Sequence, residues 1–403
     1  GYTWALEKMG VRFRGIGGTS AGSINALLLA AMNTPAKAKS PQLLAEMANL
    51  DFYSFVDGGR NVRDLIELAL GEDHAFRMLR IAWKALSVKR KLCTHYGLNR
   101  GDAFLDWLTA LLQKAEIHTL GDLNKKLATM PAGLRLRDGE VFTDSTRPKA
   151  ELVIISADVT TETRVEFPRM APLYWKNPEK VSPAVFARAS MAIPLFFEPL
   201  RVNNIPDDTQ AMSNWANLAG YAVGTDPTAV IPKSAMFVDG GVMSNFPIDA
   251  FHDTSKVPRL PTFGVKLEYD RRYKPSNKFP PMGKGRVKSL APLAGAIFNS
   301  ARHTLDYEFI KKNPDYRHLV QFIPCIYKDT ASGKIRSYNW LDFNMSEEHR
   351  AGLFVQGAMK GIEFIKQFSG PVDATGRTTK TAGAAFTSKW SFYKDLRRRI
   401  IES

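Results

Sequence analysis

Gly18-Thr19-Ser20-Ala21-Gly22 is a GxSxG pentapeptide. A serine with that spacing projects from a sharp bend between a strand and a helix, and its small neighbours let the two elements approach. The helix that follows carries partial positive charge at its N-terminus. The Ala21 N–H is thus a candidate donor to a developing oxyanion, with Gly18 and Gly22 shaping the elbow backbone. A nucleophilic serine also needs a base. Asp239 ends the apolar run Ala235-Met236-Phe237-Val238 and precedes Gly240-Gly241, glycines that let the backbone bend and other groups come close. At the C-terminal end of a strand in a parallel sheet, an aspartate projects into the crevice where α/β active sites lie. The plain alternatives are a structural turn at Ser20 and an Asp-Gly turn at Asp239.

Competing chemistries fit less well. Gly15, Gly17 and Ser20 nearly spell a dinucleotide fingerprint, but a serine stands where the last glycine belongs. No lysine follows the glycines, which excludes a Walker-type phosphate loop. An α/β-hydrolase elbow follows several strands, whereas one strand precedes Ser20 here. His252, His303, His318 and His349 occur later, none in a context that marks a base. No clustered ligands imply a metal, and no motif implies another cofactor.

The elements that must position Ser20 and Asp239 follow from periodicity. Tyr2–Met9 reads as a short helix stopped by Gly10, and Val11–Ile16 alternates like a strand. A glycine-rich turn then leads into a buried helix over Ser23–Met32, which Asn33-Thr34-Pro35 ends. Apolar spacing predicts helices over Val62–Leu86 and Asp102–Ala115, and a helix over Ser346–Phe368 capped by Ser346. Leu152–Ala157, Ala235–Val238 and Pro261–Leu267 read as strands. Asn203–Thr228 is polar and turn-rich, and Arg271–Lys288 is basic with no acid; both read as loosely ordered. No internal repeat stands out.

With 403 residues and 44% hydrophobic content, the chain can bury one large core or two smaller ones, which excludes wholesale disorder. Its longest apolar run, Ala26–Met32, falls far short of the roughly 18 residues of a membrane span. Cys93 and Cys325 match no metal or redox spacing and fit either a reducing compartment or a single disulfide. A net charge of +15 points to an anionic partner or to solubility alone. Neither zinc spacing nor an RNP-type aromatic motif favours DNA or RNA.

Separated blocks, in the right order, resemble the patatin-like phospholipase family. Gly1-Tyr2-Thr3-Trp4-Ala5-Leu6-Glu7-Lys8-Met9-Gly10 is similar to the family's first helix, and Gly18–Gly22 to its nucleophile elbow. Ala189-Ser190-Met191-Ala192-Ile193-Pro194-Leu195-Phe196-Phe197-Glu198-Pro199 is similar to a conserved packing block, and Asp239-Gly240-Gly241 to the family's D-G-G. Ser156-Ala157-Asp158-Val159-Thr160-Thr161 also looks like a family element.

The resemblance implies a three-layer α/β fold with a mostly parallel central sheet flanked by helices. It implies a catalytic domain over residues 1–270, with a C-terminal extension over residues 271–403 that packs on or regulates it. A helical segment near residues 40–130 would cap or flank the site mouth. The family's glycine-rich oxyanion loop and first strand would lie upstream of Gly1. Carried over, Ser20 and Asp239 form a Ser–Asp dyad that cleaves fatty acyl esters of membrane phospholipids, with Gly240 and Gly241 supporting the aspartate. The expected setting is cytoplasmic, peripheral to the inner membrane face, with Trp390, Phe392, Tyr393 and Arg397-Arg398-Arg399 suited to a lipid interface or to a solvated helix end. Two alternatives stay open: an antiviral membrane-degrading effector activated by a cyclic nucleotide, and a membrane-binding protein without turnover. Homo-oligomer formation is open too.

Overall fold

The structure is a computed structural model. Short gaps aside, it describes residues 1–63, 92–129, 150–221, 231–268, 309–380 and 383–402. The predicted helix beyond Arg63, the basic stretch 271–288 and His303 lie outside the described residues.

The first half runs α1 (Tyr2–Lys8), β1 (Gly15–Thr19), α2 (Ala21–Ala31), α3 (Ser40–Ala48), β2 (Gly97–Asn99), α4 (Asp102–Lys114) and α5 (Leu120–Ala128). Next come β3 (Glu151–Asp158), β4 (Thr163–Phe167), α6 (Pro183–Ser190), β5 (Leu195–Phe197), β6 (Leu200–Asn203), α7 (Thr209–Ala219) and β7 (Ser234–Asp239). The chain continues through β8 (Gly264–Glu268), β9 (Val320–Pro324), β10 (Ile326–Lys328), β11 (Ile335–Ser337), α8 (Glu347–Ser369) and α9 (Lys389–Glu402).

The central sheet is built on β3. Strand β1 runs parallel to it, with Thr19 opposite Ile155. Strand β7 is antiparallel, with Asp239 opposite Ser156. Strand β4, also antiparallel, spans Ile154–Asp158 of β3 and so takes the other edge. Consequently β1 and β7 share one edge of β3 and stop at adjacent residues. Strand β6 pairs antiparallel with β7 beyond them. The expectation of a mostly parallel sheet is corrected: among the described strands of this sheet, one pairing is parallel and three are antiparallel. The chain places β4 by a hairpin from β3, and β7 returns antiparallel beside β6 after a connection that carries α7.

The first strand lies later than its alternation predicts. Gly15–Thr19 pairs with β3, while Val11 and Phe13 join a second core instead. The ring of Phe251 explains the glycines: a Cβ on Gly15 would lie 2.9 Å from it. Since strand residues alternate between faces, that ring covers one side of β1 and α2 packs on the other.

Beneath α2 the core is aromatic. Phe167 stacks on Phe186 of α6 at 4.7 Å, and Tyr174 meets Phe237 of β7 edge-on at 4.8 Å. Asn203–Thr228 is also corrected, because it contains α7. Asp208 accepts the Ala211 N–H at 2.9 Å as its N-cap, and Trp215 is buried. Ala211, Met212, Trp215, Leu218 and Ala219 recur at helical spacing and pack in or against the main core, a short stripe set among polar, turn-rich flanks.

A second core joins α1, β8–β9, α8, α9 and the segment 246–248, through Leu6, Phe246, Phe364 and Tyr393 among others. Two of the C-terminal aromatics, Trp390 and Tyr393, belong to it. Trp390 stacks on Tyr393 at 5.3 Å and Phe392 packs against His318. Trp390, Phe392, Tyr393 and Arg397 are all buried, so they form no lipid-facing surface; Arg398 and Arg399 remain exposed. Cys93 and Cys325 are free thiols. No described helix is long and apolar enough to cross a membrane.

Phe364 tests this second core, since its ring contacts Tyr2, Phe263 and Phe368. Phe364→Ala is expected to cost about 3–5 kcal/mol, measured by urea unfolding. A loss below about 1 kcal/mol would mean that α8 is not anchored there.

Candidate active site

Ser20 caps α2 with φ 54° and ψ −126°. A non-glycine residue in that region carries a strain on the order of 1–3 kcal/mol, so the surroundings must hold it there. They do so from several sides. The Ser20 N–H donates to Ser190 Oγ at 2.9 Å, and Ser190 Oγ donates in turn to the Ile155 carbonyl at 2.6 Å. The Ser23 N–H and hydroxyl both donate to the Ser20 carbonyl, at 2.8 and 2.6 Å. Gly18 lets strand and helix close on the elbow: a Cβ there would lie 2.2 Å from the Gly22 carbonyl oxygen.

The Ser20 hydroxyl faces Asp239. Its Oγ donates to Asp239 Oδ2 at 2.5 Å across 219 residues of sequence. The other carboxylate oxygen, Oδ1, accepts the Gly241 N–H at 2.7 Å, and the Asp239 N–H donates to the Ala192 carbonyl at 2.8 Å. Gly240 is required by close approach, since a Cβ would sit 2.1 Å from the Ile155 carbonyl oxygen. Asp239 is buried and Ser20 half-buried, while Ala21 and Gly22 are exposed at the start of α2. The helix thus presents its positive end beside the serine.

Every candidate residue therefore lies in one cluster: Ser20, Asp239, Ala21, Gly18, Gly22, Gly240 and Gly241. Ser190 is the member that sequence reasoning missed as more than packing. Its signal was present in the Ala189-Ser190-Met191-Ala192 block, whose alanines keep α6 close to β3 and β7. The described later histidines do other work. His252 Nδ1 pairs with the Tyr316 hydroxyl at 2.8 Å, and burial lowers its pKa. His318 packs on Phe392 and His349 on Tyr327. Asp158 is a turn-closing residue that receives the Thr160 N–H and the Thr161 and Tyr174 hydroxyls. Among the described residues, no group of three or more His, Cys, Asp or Glu side chains could hold a metal ion.

A hydroxyl donating to a buried, doubly hydrogen-bonded carboxylate beside a helix N-terminus can be deprotonated during attack on an ester carbonyl. The sequence model of patatin-like phospholipases matches residues 1–252, over half the chain. The chain belongs to the patatin-like phospholipase family. Membership places it among lipid acyl hydrolases and accords with a mixed α/β sheet flanked by helices. The chain is also 27% identical over 365 residues to the uncharacterized protein YqhO of Bacillus subtilis strain 168, covering 90% of this chain and 92% of that protein.

Ser190 gives a test apart from the Ser20–Asp239 pair. Ser190→Ala leaves the Ser20 N–H and the Ile155 carbonyl without their partner. It is expected to reduce kcat on a soluble ester about tenfold or more, through lost positioning, with KM little changed. An unaltered kcat would remove Ser190 from the support of the elbow.

Proposed function

We propose that the chain hydrolyses fatty acyl esters of phospholipids, with Ser20 as nucleophile and Asp239 as the base. The observation that carries this reading is the direct Ser20 Oγ–Asp239 Oδ2 hydrogen bond, with no histidine between the two. Ser20 Oγ attacks the ester carbonyl carbon while its proton passes to Asp239. Negative charge develops on the carbonyl oxygen, where the Ala21 N–H and the end of α2 are the available stabilisers. Collapse breaks the ester C–O bond, and the departing lysophospholipid oxygen takes the proton from Asp239. Water then attacks the acyl-enzyme, giving its proton to Asp239. The fatty acid leaves, and Ser20 regains its proton.

The family supports ester chemistry on lipids, and the charge supports the choice of surface. A surplus of fifteen positive charges favours anionic bilayers, an attraction that weakens as salt shortens the Debye length.

Fatty-acid release from phospholipid vesicles is the measurement. Ser20→Ala and Asp239→Asn are each expected to lower it by about 10³-fold or more. Full activity in either variant would take that residue out of the scheme.

A further inference from the structure

A cavity of about 270 Å³ opens between the β2–α4 junction, α6 and the β5–β6 turn, lined among others by His95, Arg100, Asp102, Arg188, Glu198 and Arg201. Three guanidiniums thus face two carboxylates. Asp102 pairs with Arg100 at 2.8 Å, and Glu198 lies 3.8 Å from His95. Arg188 is 3% exposed, and its Nη2 donates only to the Arg100 and Glu198 carbonyls. Its Nη1 is buried with no hydrogen-bond partner. Arg201 lies over the Tyr96 ring at 5.4 Å and has no ion pair among the described residues. Asp57, Asp102 and Glu198 all act on Arg188, but none takes its Nη1, so the cavity keeps a buried guanidinium donor open to an anion's oxygen.

The rim shows where such an anion comes from. Tyr96 and Leu195 are 48% and 64% exposed, and both are held at positive φ, 62° and 67°. Leu195 pairs with Gly97 in β2–β5, and Tyr96 directly precedes Gly97. Two strained, exposed apolar side chains beside a cationic cavity match an interface of acyl chains and phosphates. The cavity is also built on the elements of the candidate site. Arg188 precedes Ser190 by two residues on α6, and Leu200 of β6 pairs with Phe237, two residues before Asp239.

We infer that this cavity binds the headgroup phosphate of the lipid substrate, with Arg188 and Arg201 supplying the charge and Tyr96 and Leu195 meeting the lipid surface. The inference rests on the phospholipid reading given above. Arginine suits the role because its planar donor fork matches phosphate oxygens. The volume fits a headgroup fragment rather than a whole lipid.

The test uses the full chain, with phosphatidylglycerol and diacylglycerol presented in the same neutral detergent micelles. Arg201→Glu is expected to lower the ratio of the two rates, phosphatidylglycerol over diacylglycerol, about tenfold. Arg201→Lys should restore most of it, and Arg398→Glu, an exposed charge on α9, should leave the ratio unchanged. An unchanged ratio in Arg201→Glu, or an equal fall in Arg398→Glu, overturns the assignment. Glycerol phosphate separates a lipid headgroup from a free phosphate ester. Competition against phosphatidylglycerol supports the headgroup; stimulation of p-nitrophenyl butyrate hydrolysis would make the occupant a free activator and sink the headgroup assignment. A readout without turnover covers failure of the hydrolase reading itself. In the Ser20→Ala protein, adding Arg201→Glu should weaken sedimentation with phosphatidylglycerol vesicles more than adding Arg398→Glu does, and equal weakening overturns the site whatever the ester assays give.

Discussion

Two adjacent residues of β3, Ile155 and Ser156, fix the geometry on which everything else depends. Strand β1 approaches along one edge and ends opposite Ile155; β7 approaches from the other direction and ends opposite Ser156. The two chain ends are thereby brought together by backbone register rather than by a flexible loop. Strand β4 occupies the opposite edge, so β3 cannot slide without breaking a second ladder. A one-residue slip would also turn each side chain to the wrong face. The same pair of residues anchors the supporting bonds: the Ile155 carbonyl accepts from Ser190, and the Ser156 hydroxyl donates to the Val238 carbonyl.

This rigidity has a local opponent. The positive φ of Ser20 works against the fold by about 1–3 kcal/mol, comparable to a few net hydrogen bonds. Bonds through Ser190 and Ser23, together with the aromatic packing of Phe167, Phe186 and Phe237, over-determine the elbow. The strain survives because no single one of these supports has to hold it alone.

The site was more legible in the sequence than the sheet. Ser20 and Asp239 announce themselves because small residues must flank them: Gly18 and Gly240 sit where a Cβ would collide with backbone. Such requirements are local and leave marks in composition. Strand direction leaves none, which is why a mostly parallel sheet was expected and a mixed one was found. The first strand was misplaced because its glycines are demanded by Phe251, 236 residues beyond Gly15 and invisible to periodicity. The C-terminal aromatics misled in the opposite sense. Alternating with Lys394 and Arg398 they resemble a lipid-facing strip, yet Tyr316 and His318 cover them. Helix α7 was hidden by the polar, turn-rich sequence on either side of it, and the cationic cavity by the distance along the chain between Arg100 and Arg201.

The separation of 219 positions between Ser20 and Asp239 has a consequence for how this protein is made. Closing so long a loop costs entropy that must be met before the contact itself returns anything, and non-local pairings of this kind are slow to form. Helices such as α2 can appear early, but the hydroxyl–carboxylate contact must wait for both strand ends to reach Ile155 and Ser156. A chain still emerging from the ribosome carries the serine long before the aspartate exists. On the proposed Ser20–Asp239 chemistry, the activity assembles only when the sheet is complete, and a half-made chain cannot exercise it.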